Sequence, residues 1–202
     1  RNARKRPVVL LFLGDSGIGK TETAKYISDV LGERLVRIQC SMQQTNIAYQ
    51  YIFGGEHNQN SMARDLIRRT SNVILLDEFD KVHPQFYNAF YQMFDEGKYV
   101  DSSYEVDVSK CVFICTSNFQ SRTEAEKQLG KPILSRFSEV VIFEPLSAES
   151  KMRIVDNALE TYISQLSKAD RKIMEDKNGT KSIRAEFENV IKRGGGYGNI
   201  RM

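Results

Sequence analysis

Six consecutive apolar residues, Val8-Val9-Leu10-Leu11-Phe12-Leu13, run straight into Gly14-Asp15-Ser16-Gly17-Ile18-Gly19-Lys20-Thr21. Beyond them Ala24, Ile27, Val30 and Leu31 recur at helical spacing until Gly32, a residue suited to stop a helix. An unbroken apolar run of this length suits a strand buried on both faces, as in a parallel sheet. The loop matches G-x-x-x-x-G-K-[ST], a pattern that ordinary composition produces by chance in about 1% of chains of ~200 residues. Its glycines let the backbone wrap so that consecutive N–H groups point at phosphate oxygens, and the helix that follows adds partial positive charge. Lys20 can reach terminal phosphates as a point charge, and the Thr21 hydroxyl can ligate Mg²⁺.

Four more strand-length apolar runs follow: Leu35–Ile38, Val73–Leu76, Cys111–Cys115 and Val140–Phe143. Between them, residues 41–72 are polar with helical character at Met62–Arg69, and residues 84–96 read as a helix anchored by Phe86, Phe90 and Phe94. Strands alternating with helices predict an α/β fold with a five-stranded, mainly parallel sheet. After Pro145-Leu146 the character changes. Residues 147–175 read as one helix, with Met152, Val155, Leu159, Tyr162 and Leu166 at helical spacing; Asp176-Lys177-Asn178-Gly179 breaks it, and a second helix covers about Ile183–Ile191. The expected organisation is an α/β nucleotide-binding domain over 1–146 and a small helical domain over 147–202.

Composition excludes several classes. Apolar residues make up 41% and Gly and Pro number only 13 and 4, which rules out disordered and low-complexity readings. The 29 basic and 26 acidic side chains leave a net +3, too near balance to argue for nucleic acid or a membrane surface. No apolar run approaches the ~18 residues that a membrane-spanning helix needs. Three cysteines without paired spacing suit a reducing, cytoplasmic compartment better than a disulfide framework. Cys111 and Cys115 share a strand face with Phe113 and read as core, and His57 and His83 are too isolated for a metal site.

Val73-Ile74-Leu75-Leu76-Asp77-Glu78 matches a second nucleotide-site motif, Walker B, as the glycine loop matches Walker A. A carboxylate at the end of a buried strand beside a phosphate loop lets Asp77 hold Mg²⁺ through water, and Glu78 can polarise an attacking water as general base. The run continues as Phe79-Asp80-Lys81-Val82-His83-Pro84-Gln85-Phe86-Tyr87-Asn88 and later Phe94-Asp95-Glu96-Gly97-Lys98. These segments, with Gly19-Lys20-Thr21-Glu22, closely resemble Clp-type AAA+ ATPases, the ring-forming unfoldases and disaggregases. The resemblance extends over about residues 7–201, strong at the motifs and loose between them.

The resemblance implies the P-loop NTPase (AAA+) fold, three layers αβα, followed by a helical lid that ends incomplete in this chain. It implies ATP with Mg²⁺ as cofactors, the phosphate loop Gly14, Asp15, Ser16, Gly17, Ile18, Gly19, Lys20 and Thr21 as the nucleotide site, and Thr21 and Asp77 as metal ligands. Asn118, after Thr116-Ser117, resembles sensor 1, an amide that bonds both the γ-phosphate and the attacking water. Arg136, in Ser135-Arg136-Phe137, resembles the arginine finger offered to a neighbouring subunit; Lys131-Pro132-Ile133-Leu134 before it departs from the family's usual lead-in. Arg201, in Gly198-Asn199-Ile200-Arg201, resembles sensor 2 in the spelling of AAA+ transcription activators, with Arg193 as the alternative. Tyr51, Ile52 and Phe53, before Gly54-Gly55, lie where the family carries a pore loop that grips polypeptide, with the aromatic pattern shifted.

The function implied is ATP hydrolysis coupled to remodelling of polypeptide substrates in a ring, expected to be a hexamer. The second reading is a nucleotide-gated switch in DNA loading or transcription activation, and a third is a non-hydrolysing structural module, against which the intact Lys20, Thr21, Asp77, Glu78, Asn118 and Arg136 argue. Clp-type modules carry some tens of residues before this first strand. Here 13 residues precede Gly14, so an incomplete adenine pocket is expected.

Overall fold

A computed structural model describes residues 6–41, 45–55, 60–176 and 179–193. The five apolar runs become strands β1 Val8–Leu13, β2 Leu35–Gln39, β3 Val73–Asp77, β6 Val112–Thr116 and β7 Glu139–Ile142, all in one sheet of order β2-β3-β6-β1-β7 with every pairing parallel. Val8–Leu13 and Val73–Leu76 thus share a sheet, as the apolar runs require.

Side-chain alternation along the strands feeds two separate cores. Phe12, Val73, Leu75 and Ile114 face α1 (Lys20–Val30) and pack with its Ala24 and Ile27. Val9, Leu11, Leu13, Ile74, Leu76, Phe113 and Cys115 face the opposite way, into a larger core. That second core is closed by α2 (Thr45–Phe53), α3 (Met62–Ile67), α4 (Tyr87–Glu96), α5 (Arg122–Leu129) and α6 (Lys131–Leu134). Helices on both faces make the expected three layers, and explain why β3 is buried at every position.

The larger core is aromatic. Phe94 lies 5.7 Å from Phe113, 5.9 Å from Phe137, 6.0 Å from Phe90 and 6.2 Å from Phe79, centroid to centroid. Phe79 also meets the edges of Phe90 and Phe137 in T-shaped pairs. Ring edges against ring faces are the favoured arrangement of the aromatic quadrupole.

The structure differs from the sequence expectation in three places. A two-stranded antiparallel hairpin, β4 Lys98–Val100 with β5 Glu105–Asp107, has no counterpart among the expected strands. Gly97, at φ 68, ends α4 and turns the chain into it. The segment expected as a loop, Tyr51-Ile52-Phe53, is the last turn of α2. Ile52 is buried, Tyr51 donates to Asp65 Oδ2 at 2.7 Å, and the turn's last carbonyls accept from the hairpin: Ile52 O from the Tyr99 hydroxyl and Phe53 O from Ser102 N at 2.9 Å. Helix ends leave carbonyls without intrahelical partners, and the hairpin supplies them.

The third difference is the expected single helix over 147–175, which is two. α7 runs Ala148–Gln165 and α8 runs Lys168–Asp176, because Ser167 caps the second helix by accepting from Asp170 N at 3.2 Å. The last helix, α9, covers Gly179–Lys192. The chain divides into two compact units, one ending at Phe143 and the other beginning at Glu144. Within the second, Arg184 of α9 grips both carboxylate oxygens of Asp156 on α7, at 2.8 and 3.3 Å. Among the described residues no helix is long and apolar enough to cross a membrane.

If the aromatic cluster holds the larger core together, Phe94→Ala should cost about 3–5 kcal/mol of unfolding free energy, the range for deleting a buried phenyl ring. Urea denaturation measures it; a cost under about 1 kcal/mol would mean that the cluster collapses around the gap and is not the keystone described.

Candidate functional site

The parallel register brings the carboxyl ends of three strands together. Phe12 pairs with Thr116, Leu75 with Ile114 and Leu76 with Cys115, so the residues just beyond β1, β3 and β6 come out side by side. Ligands of open α/β sheets bind at that end.

Beyond β1, Gly14 takes φ 131, and a Cβ there would meet Phe143 O at 2.6 Å and Ile18 Cδ1 at 2.5 Å. Only glycine fits at the root of this loop. Gly19, at φ 103, opens α1, and no side chain caps the first turn, whose N–H groups are left for another acceptor. Asp15, Ser16 and Gly17 are exposed along the loop, Ile18, Gly19 and Thr21 half-buried. Lys20 is buried and folds back over the loop. Its Nζ donates to Gly14 O at 2.5 Å, Asp15 O at 2.7 Å and Asn118 Oδ1 at 3.4 Å. Burial pulls the Lys20 ammonium below the ordinary lysine range, while Asp80, Asp15 and Asp77 pull it the other way.

At the end of β3, Asp77 is buried and both its oxygens are engaged. Thr116 Oγ1 donates to Oδ1 at 2.5 Å, and Arg37 Nη2 on β2 donates to Oδ2. The same Thr116 oxygen accepts from Glu78 N at 3.0 Å, so one hydroxyl ties the two acidic residues to the end of β6. Glu78 sits in the left-handed region, φ 57 and ψ 47, the sole non-glycine residue at positive φ among those described. An L-residue there costs about 1–2 kcal/mol, strain that persists only where surroundings enforce it. Its carboxylate accepts from Gln39 Nε2 of β2 at 2.7 Å.

Lys20, Thr21, Asp77, Glu78 and Asn118 therefore surround one end of the sheet. Arg136 lies elsewhere on the same unit. Its Nε donates to Asp95 Oδ2 at 2.8 Å, its Nη1 to Pro132 O, and its guanidinium carbon lies 4.2 Å from the Tyr91 ring centre. The departing segment Lys131–Leu134 forms the single turn of α6, with Pro132 in its first turn. Tyr51, Ile52 and Phe53 are packed as described above. Gly198 to Arg201 lie outside the described residues, of which Arg193 is the last.

Sequence reasoning missed Arg37, Gln39 and Thr116. Arg37 and Gln39 flank Ile38, so they share one face of β2, and Gln39 pairs in register with Asp77. The alternation was visible, but its meaning depends on β2 lying beside β3. Thr116 opens Thr116-Ser117-Asn118, a motif whose recognisable chemistry lies in the amide two residues on.

The profile of the family described as AAA domain (Cdc48 subfamily) matches residues 5–192. Chaperone protein ClpB of Tropheryma whipplei strain TW08/27 is 30% identical over 189 aligned residues, which cover 81% of this chain and 27% of that protein. The Staphylococcus aureus strain COL protein of the same name is 33% identical over 186, covering 76% and 21%. Among solved structures, a closed-state cryo-EM reconstruction of Hsp104 with ATPγS and FITC casein superposes with a TM-score of 0.70 at 27% identity, over 82% of this chain and 34% of that one. An S. cerevisiae Hsp104:casein complex in its extended conformation does so at 0.70 and 26%, over 83% and 34%. The chain spans about a quarter of the length of the curated relatives it matches.

The strain at Glu78 is testable by itself. Glu78→Gly should raise the unfolding free energy by about 1 kcal/mol, since glycine takes the left-handed conformation freely. A loss of stability in urea titration would mean that the Gln39 bond outweighs the backbone strain.

Proposed function

Since the chain belongs to the AAA domain family, Cdc48 subfamily, we propose that it binds ATP and hydrolyses it, coupling the cycle to remodelling of polypeptide substrates in a ring of like modules. One observation carries this reading: the convergence of Lys20, Asp77, Glu78 and Asn118 on the uncapped end of α1. The relatives are chaperones, which leaves the DNA-switch reading without support.

In this reading residues 1–146 are the nucleotide-binding domain and 147–202 its helical lid, with Arg201 as sensor 2. The loop from Gly14 to Thr21 wraps the phosphates. Lys20 exchanges the carbonyls of Gly14 and Asp15 for phosphate oxygens, a swap favoured by its desolvation, because a poorly solvated ammonium gains more from a full anionic charge than from carbonyl dipoles. The oxygen donors of Thr21 and Asp77 suit Mg²⁺, which prefers hard ligands and keeps several waters. When bound, Mg²⁺ neutralises charge on the phosphates. Thr116 holds one Asp77 oxygen and Arg37 the other, which fixes the carboxylate where it would hold Mg²⁺ through water.

Glu78 takes a proton from the attacking water, and its left-handed backbone turns the carboxylate out from the strand end. Gln39 holds that carboxylate and must release it for the base to act. Asn118, already bonded to Lys20, reads the γ-phosphate. Arg136 serves a neighbour's nucleotide, which makes hydrolysis depend on assembly, expected as a hexamer. Tyr51, Ile52 and Phe53 contribute to gripping substrate through the turn at Gly54-Gly55 beyond them.

Three variants of the full-length protein test the reading. Glu78→Gln should keep ATP binding and lower turnover by about 10²–10⁴-fold, the usual loss on removing a general base. Lys20→Ala should weaken binding itself. Arg136→Ala should bind ATP and lose roughly 10³-fold or more in turnover, with partial recovery when mixed with Glu78→Gln subunits. Nucleotide titration beside steady-state turnover separates these, and near-normal turnover of Glu78→Gln would end the proposal.

A further inference from the structure

We propose that Asp95 and Tyr91 are positioning residues that present Arg136 in a fixed orientation; the proposal rests on the finger reading of Arg136. A finger on a free side chain would lose rotamer freedom each time it met a phosphate. Arg136 is not free. Of the five N–H donors that a guanidinium carries, Asp95 takes the one on Nε, at 2.8 Å, and the Pro132 carbonyl takes one on Nη1. The Tyr91 ring covers one face of the plane at 4.2 Å. The donors of Nη2 have no partner among the described residues. The group is thus held at its stem, at one terminal nitrogen and on one face, with the remaining nitrogen available.

The backbone on either side is fixed as well. Phe137, next to Arg136, is buried against Phe79 and Phe94, and Phe94 is next to Asp95. Arginine and its carboxylate therefore hang from one aromatic cluster, which holds their separation constant. The ion pair contributes little to folding, because the Asp95 side chain is 41% exposed and pairs at that exposure are screened by water. Orientation is the role left to it. A charge-assisted bond to Nε fixes the guanidinium plane, whereas a lysine would offer no plane to fix.

The test is a cycle of variants in the full-length protein: Arg136→Ala, Asp95→Ala, Asp95→Asn and Arg136→Ala/Asp95→Ala, with kcat and KM for ATP measured beside urea midpoints. Asp95→Ala should lower kcat by about 10- to 100-fold, the scale of a finger displaced by about an ångström, with KM and midpoint near those of the parent. Asp95→Asn keeps an oxygen for the Nε–H and should recover most of the loss. In the Arg136→Ala background Asp95→Ala should do nothing more, because it acts only through the arginine. An unchanged or raised kcat for Asp95→Ala, while Arg136→Ala is inactive, overturns the presentation and leaves the finger standing. An equal loss in both backgrounds also overturns it, as a structural effect. Normal turnover of Arg136→Ala removes the finger and this proposal with it.

Discussion

Burying both faces of a parallel sheet leaves its strands a single register, and the polar cluster at the strand ends depends on that register. A slip of β3 by one residue would turn Val73, Leu75 and Asp77 from the α1 side to the aromatic side and carry the carboxylate away from the glycine loop. The apolar residues on the two faces thus hold charged ones in place without touching them. The same frame puts the Thr116 hydroxyl between Asp77 and Glu78 and the Asn118 amide on Lys20.

Order at the strand ends comes from short polar side chains together with one ion pair, Arg37 with Asp77. One threonine oxygen serves as donor to an aspartate and acceptor for the next residue's amide, while Arg37 and Gln39 reach across from β2 to one carboxylate each. Buried acceptors without partners are costly, and these donors satisfy both oxygens of the buried Asp77. The backbone of Glu78 is the exception, kept in a region that L-residues avoid. Such a conformation survives because residues on the two strands flanking β3, Thr116 and Gln39, hold it from different sides.

Much of this was legible in the sequence. Strands of a parallel sheet print themselves as apolar runs, most fully in the central β1, β3 and β6 and still visibly in the more exposed edge strands β2 and β7, and the glycine loop and acidic pair are local patterns whose chemistry needs no partner to be recognised. What was not legible depends on neighbours distant in the chain. Arg37 and Gln39 acquire meaning only when β2 pairs with β3. The strands Lys98–Val100 and Glu105–Asp107 are each three residues long, too short for alternation to stand out. Tyr51-Ile52-Phe53 before two glycines has the look of a loop, but the hairpin's Tyr99 and Ser102 complete it as a helix end. The break at Ser167 was the one local signal overlooked, a serine with an aspartate three residues on.

The aromatic cluster has a mechanical consequence. Phe79 directly follows Glu78, Phe137 directly follows Arg136, and the two rings meet edge to face at 6.0 Å. A close-packed core has little compressibility, so its rings cannot absorb a displacement and must pass it on. A shift of a few tenths of an ångström at the strained backbone of Glu78, an order typical of sub-ångström switching motions, would be passed toward Arg136. The core would then act as a stiff lever with the Glu78 carboxylate at one end and the Arg136 guanidinium at the other. If Arg136 serves a neighbour as proposed, a subunit's response to its own nucleotide would also be a push on the next.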